Sequence, residues 1–123
     1  PVDEALIAAG DFSEESGRAA MQRLLAHEPT AVFAASDMMA IGAMKAAREA
    51  GRRVPEDVAF IGFDDLAIDS VVEPALASVR QPIEQLGAMA AEVLLDLIEG
   101  RVEGPQHVIL PTQLVIRASC GGL

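Results

Sequence analysis

Three short segments of the sequence carry residues that could bind a ligand. They are Asp11-Phe12, Ser36-Asp37 and Asp64-Asp65, and each follows an apolar run typical of a buried strand. Ligands of parallel α/β sheets bind at the carboxyl ends of the strands, so we expect these segments at one edge of a sheet. Carboxylates accept the paired hydrogens of sugar hydroxyls, and an aromatic ring covers the C–H side of a sugar. The residue types therefore favour a neutral polyhydroxyl ligand.

Other chemistries fit the sequence less well. The three segments have no glycine-rich loop, no Lys and no expected cationic group, which disfavours a phosphate ligand. His27 and His107 have no second His or paired carboxylate at ligand spacing, so no metal site is predicted. Ser119 and Cys120 have no base at a recognisable spacing, so no nucleophile is predicted. We expect a binding protein that is not an enzyme, with no catalytic residue and no cofactor.

Each candidate also has a structural interpretation. Asp37 fits a helix N-cap better than a ligand contact, Ser36 could simply end a strand, and Phe12 could be a core aromatic. Asp64 is the strongest candidate, because a carboxylate at the end of a buried strand needs a partner. Asp65 is expected to be exposed to solvent or to form a turn.

The elements that would position these residues alternate between strands and helices. Apolar runs predict strands over residues 6–9, 31–35, 58–63, 76–81, 106–110 and 112–117. Capping residues and apolar spacing predict three helices, one after Ser13, one from Asp37 to Gly51, and one that begins at Pro82. This order predicts an α/β fold with a mostly parallel sheet flanked by helices.

The second predicted helix is apolar on nearly all sides. It carries Met38, Met39, Ile41 and Met44 together with Gly42 and several alanines. A helix of this kind is buried on more than one side. We expect association of two subunits to bury the side that faces away from the sheet.

Composition limits the class of protein. The 123 residues are 51% hydrophobic with a net charge of −10, which argues against disorder and against direct binding to nucleic acid. No apolar run is long enough to cross a membrane, so no membrane association is expected. A single cysteine, Cys120, cannot form an internal disulfide, which favours a reducing compartment.

Five segments occur in a fixed order over nearly the whole chain: GDFSEESG, AVFAASDMMAIGAMKAAREAG, RVPEDVAFIGFDDLAID, PALASVRQPIEQLGAMAAEVLLDLI and LPTQLVIRASCG. Together they resemble the LacI/GalR family of bacterial transcription regulators. The resemblance implies the effector-binding core, of the periplasmic binding protein-like type I fold, with two α/β lobes around a cleft joined by three crossover strands. It also implies a cytoplasmic homodimer that acts as a repressor, in which a small molecule, most commonly a sugar, controls operator binding allosterically.

The resemblance implies two sets of functional residues. The effector-binding set is Phe12, Ser36, Asp64 and Gln81. At Ser36 family members often have Asn, so one hydroxyl replaces an amide. The dimer-interface set is Ile41, Met44, Val71 and Val72.

The resemblance further implies a C-terminal fragment, about the last third of a regulator. Residues 1–81 and 112–123 would form the C-terminal lobe, and 82–111 a helix and strand that cross into a missing N-terminal lobe. The helix-turn-helix that binds operator DNA, the hinge, the first strand and helix of the C-terminal lobe and the Arg that usually anchors the effector are absent from the chain.

Two other hypotheses fit parts of the sequence. A periplasmic sugar-binding protein of a transport system would share the fold, although the LPTQLVIRASCG motif favours a regulator. A phosphoacceptor receiver domain has a similar length and an acidic pair. The order of its acidic residues and Lys differs, because here the pair follows the third predicted strand and the only Lys, Lys45, lies within a helix.

Overall fold

The computed structural model describes residues 2–122, which form two compact units. The first unit contains the residues up to Arg80 and those from Leu114 onward, and the second is Gln81–Gln113. Among residues 2–122, no helix combines the length and the apolar character that a membrane span requires.

The first unit is built on a sheet. The strands are β1 (Ala31–Phe33), β2 (Ala59–Asp64), β3 (Ala77–Arg80) and β4 (Gln113–Val115), and they lie in the order β1-β2-β3-β4. The β1–β2 and β2–β3 pairs are parallel. The α/β class is confirmed, and the parallel pairing places the carboxyl ends of β1, β2 and β3 along one edge.

Two helices of the first unit pack backbone to backbone. They are α1 (Glu14–Leu24) and α2 (Asp37–Glu49). A Cβ atom on Gly17 would lie 2.1 Å from the carbonyl oxygen of Met39, and one on Gly42 would lie 1.9 Å from that of Glu14. Because α2 also contacts β2, both of its apolar sides are buried within one chain. The expectation that subunit association buries its second side is therefore wrong.

Capping residues define where the two helices begin. Ser13 caps α1 as expected, because its hydroxyl accepts a hydrogen bond from the Ser16 amide. The N-cap of α2 is Ser36, whose hydroxyl accepts from the Met39 amide at 3.2 Å. Asp37 is the first helical residue, so the sequence-based assignment of the cap was wrong by one position.

The strand expected over residues 6–9 does not form. Asp3 instead caps a short 3₁₀ helix, Glu4–Leu6, by accepting a hydrogen bond from the Ala5 amide. The Leu6 and Ile7 amides donate back to the carbonyls of Asp3 and Glu4, so they are not available to a strand ladder.

The hydroxyl of Ser119 connects the C-terminal segment of the first unit to the sheet by hydrogen bonds. Ser119 lies in a 3₁₀ turn (Ala118–Cys120) and is fully buried. Its Oγ donates to the Phe60 carbonyl at 2.7 Å and accepts from the Ala77 amide at 2.8 Å. Ser119 therefore bridges the backbones of β2 and β3.

The second unit consists mainly of α3 (Ile83–Ile98), which Pro82 precedes as the N-cap residue. The strand expected over residues 106–110 is absent. This unit holds only the first residue of β4 and so offers no strand for 106–110 to pair with. Its apolar residues instead line a groove of about 320 Å³ together with α3; the lining includes Leu86, Met89, Val93, Val108 and Leu110.

Candidate functional site

Phe12 lies in the loop before α1. Its φ of 68° lies in the left-handed region, and its side chain is 66% exposed. The Asp11 carboxylate fixes the loop by accepting hydrogen bonds from the amide and the hydroxyl of Ser13. These bonds lower the pKa of Asp11 to about 2. The aromatic face predicted to contact a ligand is thus open to solvent.

Ser36 follows β1 by three residues and is 5% exposed. Its oxygen is engaged in capping α2. The hydroxyl hydrogen could still be donated, but little of the side chain reaches solvent. The role of Ser36 in ligand binding stays a prediction.

Asp64 ends β2 and is half-buried, and its Cα is paired in register with that of Arg80. The backbone is left-handed at Asp64 (φ 116°) and again at Asp65 (φ 59°). Two consecutive non-glycine residues in this region cost conformational energy, which the surrounding contacts must offset. Those contacts come from Asp65 and from the Asp37 carboxylate.

Asp65 lies in the turn after β2, which was one of the two interpretations from sequence, and it is not exposed to solvent, which was the other. Its side chain is 6% exposed, and its oxygens accept hydrogen bonds from Arg80 Nε at 2.5 Å and Arg117 Nη2 at 2.6 Å. Burial acts to raise the pKa of Asp65, but the hydrogen bonds and charges of Arg117 and Arg80 outweigh it and lower the pKa. The edge of the sheet therefore carries two cations, whereas the sequence analysis expected no cationic group there.

Asp37 connects three elements from a position with no solvent exposure. Its Oδ2 accepts a hydrogen bond from the Leu66 amide at 2.9 Å, and its Oδ1 accepts from the Ser78 hydroxyl at 2.6 Å. The Ser78 oxygen in turn accepts from the Asp65 amide at 3.0 Å. A Cβ atom on Gly62 would lie 2.2 Å from Asp37 Oδ1, so only glycine leaves room for this carboxylate in β2.

Asp69 is a buried acid that sequence reasoning missed. It is fully buried in the 3₁₀ turn Ala67–Ser70, and among the described residues neither of its oxygens meets a hydrogen-bond donor. Burial, followed by the adjoining carboxyl group of Asp37 and its negative charge, raises the pKa of Asp69 to about 7. No sequence signal identified it, because Asp69 lies in a short irregular segment, residues 66–72, that shows neither helical nor strand periodicity.

The first turn of α2 brings the three predicted segments together. The loop before Phe12 contacts it through Gly10, whose Cβ would lie 2.3 Å from the Met39 side chain. Ser36 caps this turn, and Asp37 binds the Leu66 amide next to the Asp64-Asp65 pair. The arrangement combines an exposed ring, a half-buried carboxylate and fixed backbone dipoles, which suits binding of a hydroxylated ligand more than bond-breaking chemistry.

The remaining predicted residues lie elsewhere. Gln81 belongs to the second unit, immediately after Arg80 in the chain. Ile41 and Met44 are 4% and 3% exposed and belong to the protomer's own core, Val72 packs against that core, and Val71 is 77% exposed. Val71 is therefore the member of the dimer-interface set with most surface available to a second copy. Among residues 2–122, no group of three or more His, Cys, Asp or Glu side chains is arranged to hold a metal ion.

Comparison with known proteins agrees with this geometry. Residues 1–120 match the family model described as a periplasmic binding protein-like domain. The chain belongs to this family. Its relatives are LacI-family regulators, as the five sequence motifs indicated.

Two curated relatives are transcription regulators. The chain is 46% identical over 119 residues to the HTH-type transcriptional regulator CelR of Thermobifida fusca, which covers 95% of this chain and 35% of CelR. It is 45% identical over 120 residues to the HTH-type transcriptional repressor PurR of Escherichia coli O1:K1 / APEC, covering 96% and 35%. The chain therefore spans about a third of the length of the curated relatives it matches.

Solved structures show the same likeness. The structure of a CelR-cellobiose complex superposes with a TM-score of 0.92 at 45% identity, covering 97% of this chain and 37% of that one. A regulatory protein of the LacI family from Chloroflexus aggregans gives a TM-score of 0.86 at 42% identity, covering 98% and 44%. These periplasmic binding protein-like relatives are regulators and not enzymes.

Proposed function

We propose that this chain is the effector-sensing and dimerising part of a bacterial LacI-family transcriptional repressor. It binds a small molecule, a sugar in the first instance, and thereby controls operator binding allosterically in the cytoplasm. Operator DNA is contacted only through a helix-turn-helix that this chain does not contain.

The observation that carries the proposal is the left-handed turn at Asp64. Its carboxylate stands at the carboxyl end of β2, next to the first turn of α2 that Gly10 and Ser36 also contact. Carboxylate oxygens there can accept hydrogens from sugar hydroxyls, and the exposed ring of Phe12 can cover a sugar face. The cellobiose complex of CelR supports this ligand class.

The cations at Asp65 do not favour an anionic ligand over a sugar. Arg80 and Arg117 both contact the Asp65 carboxylate, and the two carboxylates of Asp64 and Asp65 together balance their two positive charges. The guanidinium of Arg117 also donates to the Leu76 carbonyl at 2.6 Å. The two cations therefore stabilise the turn and leave little free positive charge for a phosphate.

A sugar-binding protein of a transport system is the second candidate. The named relatives are HTH-type regulators, which supports the regulator over the transport protein. A helix-turn-helix or an export signal in the segment that precedes this sequence in its gene would decide between them.

The proposed lobes follow the division of the chain. Residues 1–81 and 112–123 would form the C-terminal lobe, and 82–111 the part that crosses into the other lobe, with Gln81 at the crossover beside the cleft. The separation of Gln81–Gln113 from the rest of the chain supports this assignment.

The proposed dimer interface is centred on Val71. Leu66 and Ile68 in the same stretch are also partly exposed, so residues 66–71 offer apolar surface to a second copy. Ile41 and Met44 would contribute by supporting this surface from the core.

The test uses the full regulator that contains this chain. Thermal-shift measurements against sugars, with cellobiose first, and against nucleosides identify ligands that stabilise the folded protein. Fluorescence anisotropy with operator DNA then measures whether the same ligand changes DNA affinity. A sugar that raises Tm and alters operator binding supports the proposal, and stabilisation by nucleosides alone would assign a different effector class.

A further inference from the structure

Two buried aspartates face each other at the start of α2. Asp37 and Asp69 are both fully buried. Each oxygen of Asp37 accepts a hydrogen bond, from Ser78 and from the Leu66 amide. Both oxygens of Asp69 are without a donor among the described residues, and the group that Asp69 meets is the Asp37 carboxylate. An ionised carboxylate has no hydrogen to donate, so two ionised groups could not bond to each other.

The charged groups around Asp69 would not stabilise its ionised form. Those that act on it are Asp37 on α2, Asp65 in the turn after β2, and Arg117 in the tail. Two of the three are negative. The cation, Arg117, donates its hydrogen bonds to Asp65 and to the Leu76 carbonyl. An ionised Asp69 would therefore be a buried anion beside another anion, which is strongly unfavourable.

We propose that Asp37 and Asp69 hold one proton between them, and that release of this proton loosens the turn formed by Asp64, Asp65 and Leu66. The protonated carboxyl group donates a hydrogen bond to the other carboxylate, which gives the Asp69 side chain a hydrogen-bond partner. The bearing of this switch on ligand binding rests on the proposed function, because Asp64 is the residue assigned to the ligand.

The route from the pair to the turn consists of two short paths. The Leu66 amide donates directly to Asp37, and the Asp65 amide donates to the Ser78 oxygen, whose hydrogen is donated to Asp37. These bonds help to hold the left-handed backbone at residues 64 and 65, which is costly for residues other than glycine. Repulsion that displaces the Asp37 carboxylate would weaken both paths together.

The sign of the pH dependence follows from the raised pKa. The pKa of Asp69 is about 7 in the folded chain, against an ordinary value of 3.8. A group of this kind stabilises the fold fully below its unfolded pKa, and that stabilisation is lost as the pH rises towards the folded pKa. The pair should therefore release its proton near neutral pH, where a bacterial cytoplasm operates.

The first test compares the unfolding equilibrium of the wild-type chain with that of Asp69→Asn between pH 5 and pH 8. Asn has a similar shape and carries an NH₂ group that can donate to Asp37 at any pH. Relative to this variant, the wild-type unfolding constant should rise by about tenfold per pH unit up to pH 7 and then level off.

Asp96→Asn is the matched control, because Asp96 is a carboxylate of α3 paired with Arg101 on the surface. This variant should keep the wild-type pH dependence. Equal pH dependence in wild type and Asp69→Asn would overturn the proposal.

The second test is direct and does not need a variant that folds. Carbon-13 NMR of labelled aspartates in the wild-type chain should show one carboxyl of the pair titrating near neutral pH, and the Asp65 and Leu66 amides should exchange faster once it ionises. Titration of both carboxyls below pH 5 would refute the shared proton. Neither test contains an effector, so failure of the proposed function would leave both results unchanged.

Discussion

The hydroxyl of Ser78 donates a hydrogen bond of 2.6 Å to the carboxylate of Asp37, and both side chains are completely buried. Forty-one residues separate the two positions in the chain. Because the same oxygen accepts the Asp65 amide, one hydroxyl joins the first turn of α2, strand β3 and the turn that carries Asp64. Ser78 therefore holds the candidate site to the core of its unit.

Replacing Ser78 with Ala should destabilise the chain without creating a large cavity. The change leaves Asp37 Oδ1 and the Asp65 amide buried with their shared partner removed. Each unsatisfied buried group costs about 1–3 kcal/mol, so we expect a loss of at least about 2 kcal/mol in the free energy of unfolding. Urea denaturation followed by circular dichroism measures it.

Ser70→Ala provides the comparison for this variant. Ser70 is exposed, and its hydroxyl donates to the Ala67 carbonyl within the same turn. Its loss should change stability by less than about 0.5 kcal/mol. Equal losses of unfolding free energy for the two alanine substitutions would mean that the hydrogen bonds of Ser78 do not stabilise the fold.

The two arginines on Asp65 should contribute unequally. The side chain of Arg117 is 18% exposed and that of Arg80 is 51% exposed, so solvent screens the second ion pair more. Arg117→Met should cost about 3 kcal/mol or more, since it leaves the buried Asp65 carboxylate and the Leu76 carbonyl short of a donor. Arg80→Met should cost less than about 1 kcal/mol.

Thermal and urea unfolding of both methionine variants measures this difference. Met keeps much of the apolar stem of each arginine, so the comparison reports mainly on the charge and the hydrogen bonds. A larger loss for Arg80→Met than for Arg117→Met would contradict the assignment of the dominant contact to Arg117.

Much of the fold could be predicted from sequence because local patterns encode it. The apolar runs that became β1, β2 and β3 and the capping serine of α1 act over a few residues. The runs at 6–9 and 106–110 have the same local character, yet neither forms a strand. A strand also requires a neighbouring backbone to pair with, and hydrophobic pattern alone does not reveal that partner.

In the candidate site, too, features set by neighbouring residues could be predicted from sequence, and features set by residues distant in the chain could not. Asp64 could be singled out as a candidate because it stands at the end of an apolar run in the sequence, and its role in ligand binding stays a prediction. The burial of Asp65 was missed because its partners lie 15 and 52 residues away, at Arg80 and Arg117. The sequence correctly indicated that α2 is apolar on nearly all sides. It did not show that α1 packs against one of these sides at Gly42.

Gly42→Ala should be strongly destabilising. The added methyl group would meet the backbone carbonyl of Glu14 at 1.9 Å, and a backbone atom of α1 cannot move aside as a flexible side chain could. We expect a loss of about 1–3 kcal/mol or more, even though Ala is the better helix former. Chemical denaturation monitored by circular dichroism measures the loss.

Gly87→Ala is the matched control in α3. A Cβ at Gly87 has no heavy atom within 4 Å, so the substitution should raise the helical stability of its unit by up to about 1 kcal/mol. If Gly42→Ala were also stabilising, α1 and α2 could not be as close as the structure has them.

Asp64→Ala and Phe12→Ala should each abolish the response of the full regulator to its effector while operator binding persists. Loss of a charge-assisted hydrogen bond from Asp64 should cost about 1.5–3 kcal/mol of effector affinity, or roughly 10- to 160-fold in Kd. Phe12 is already exposed, so its replacement removes a contact face without disturbing the core. Calorimetric titration with the effector and anisotropy with operator DNA separate the two properties.

Phe33→Ala and Asp3→Ala are the controls for these variants. Phe33 is 65% exposed, nearly the same as Phe12, but it lines a groove along β1 with Leu24 and Thr30. Asp3 only caps the turn that follows it. Both controls should retain wild-type effector affinity, since neither residue belongs to the three segments that carry the candidate site. An unaltered response in Asp64→Ala and Phe12→Ala would place the effector somewhere other than the carboxyl ends of β1 and β2.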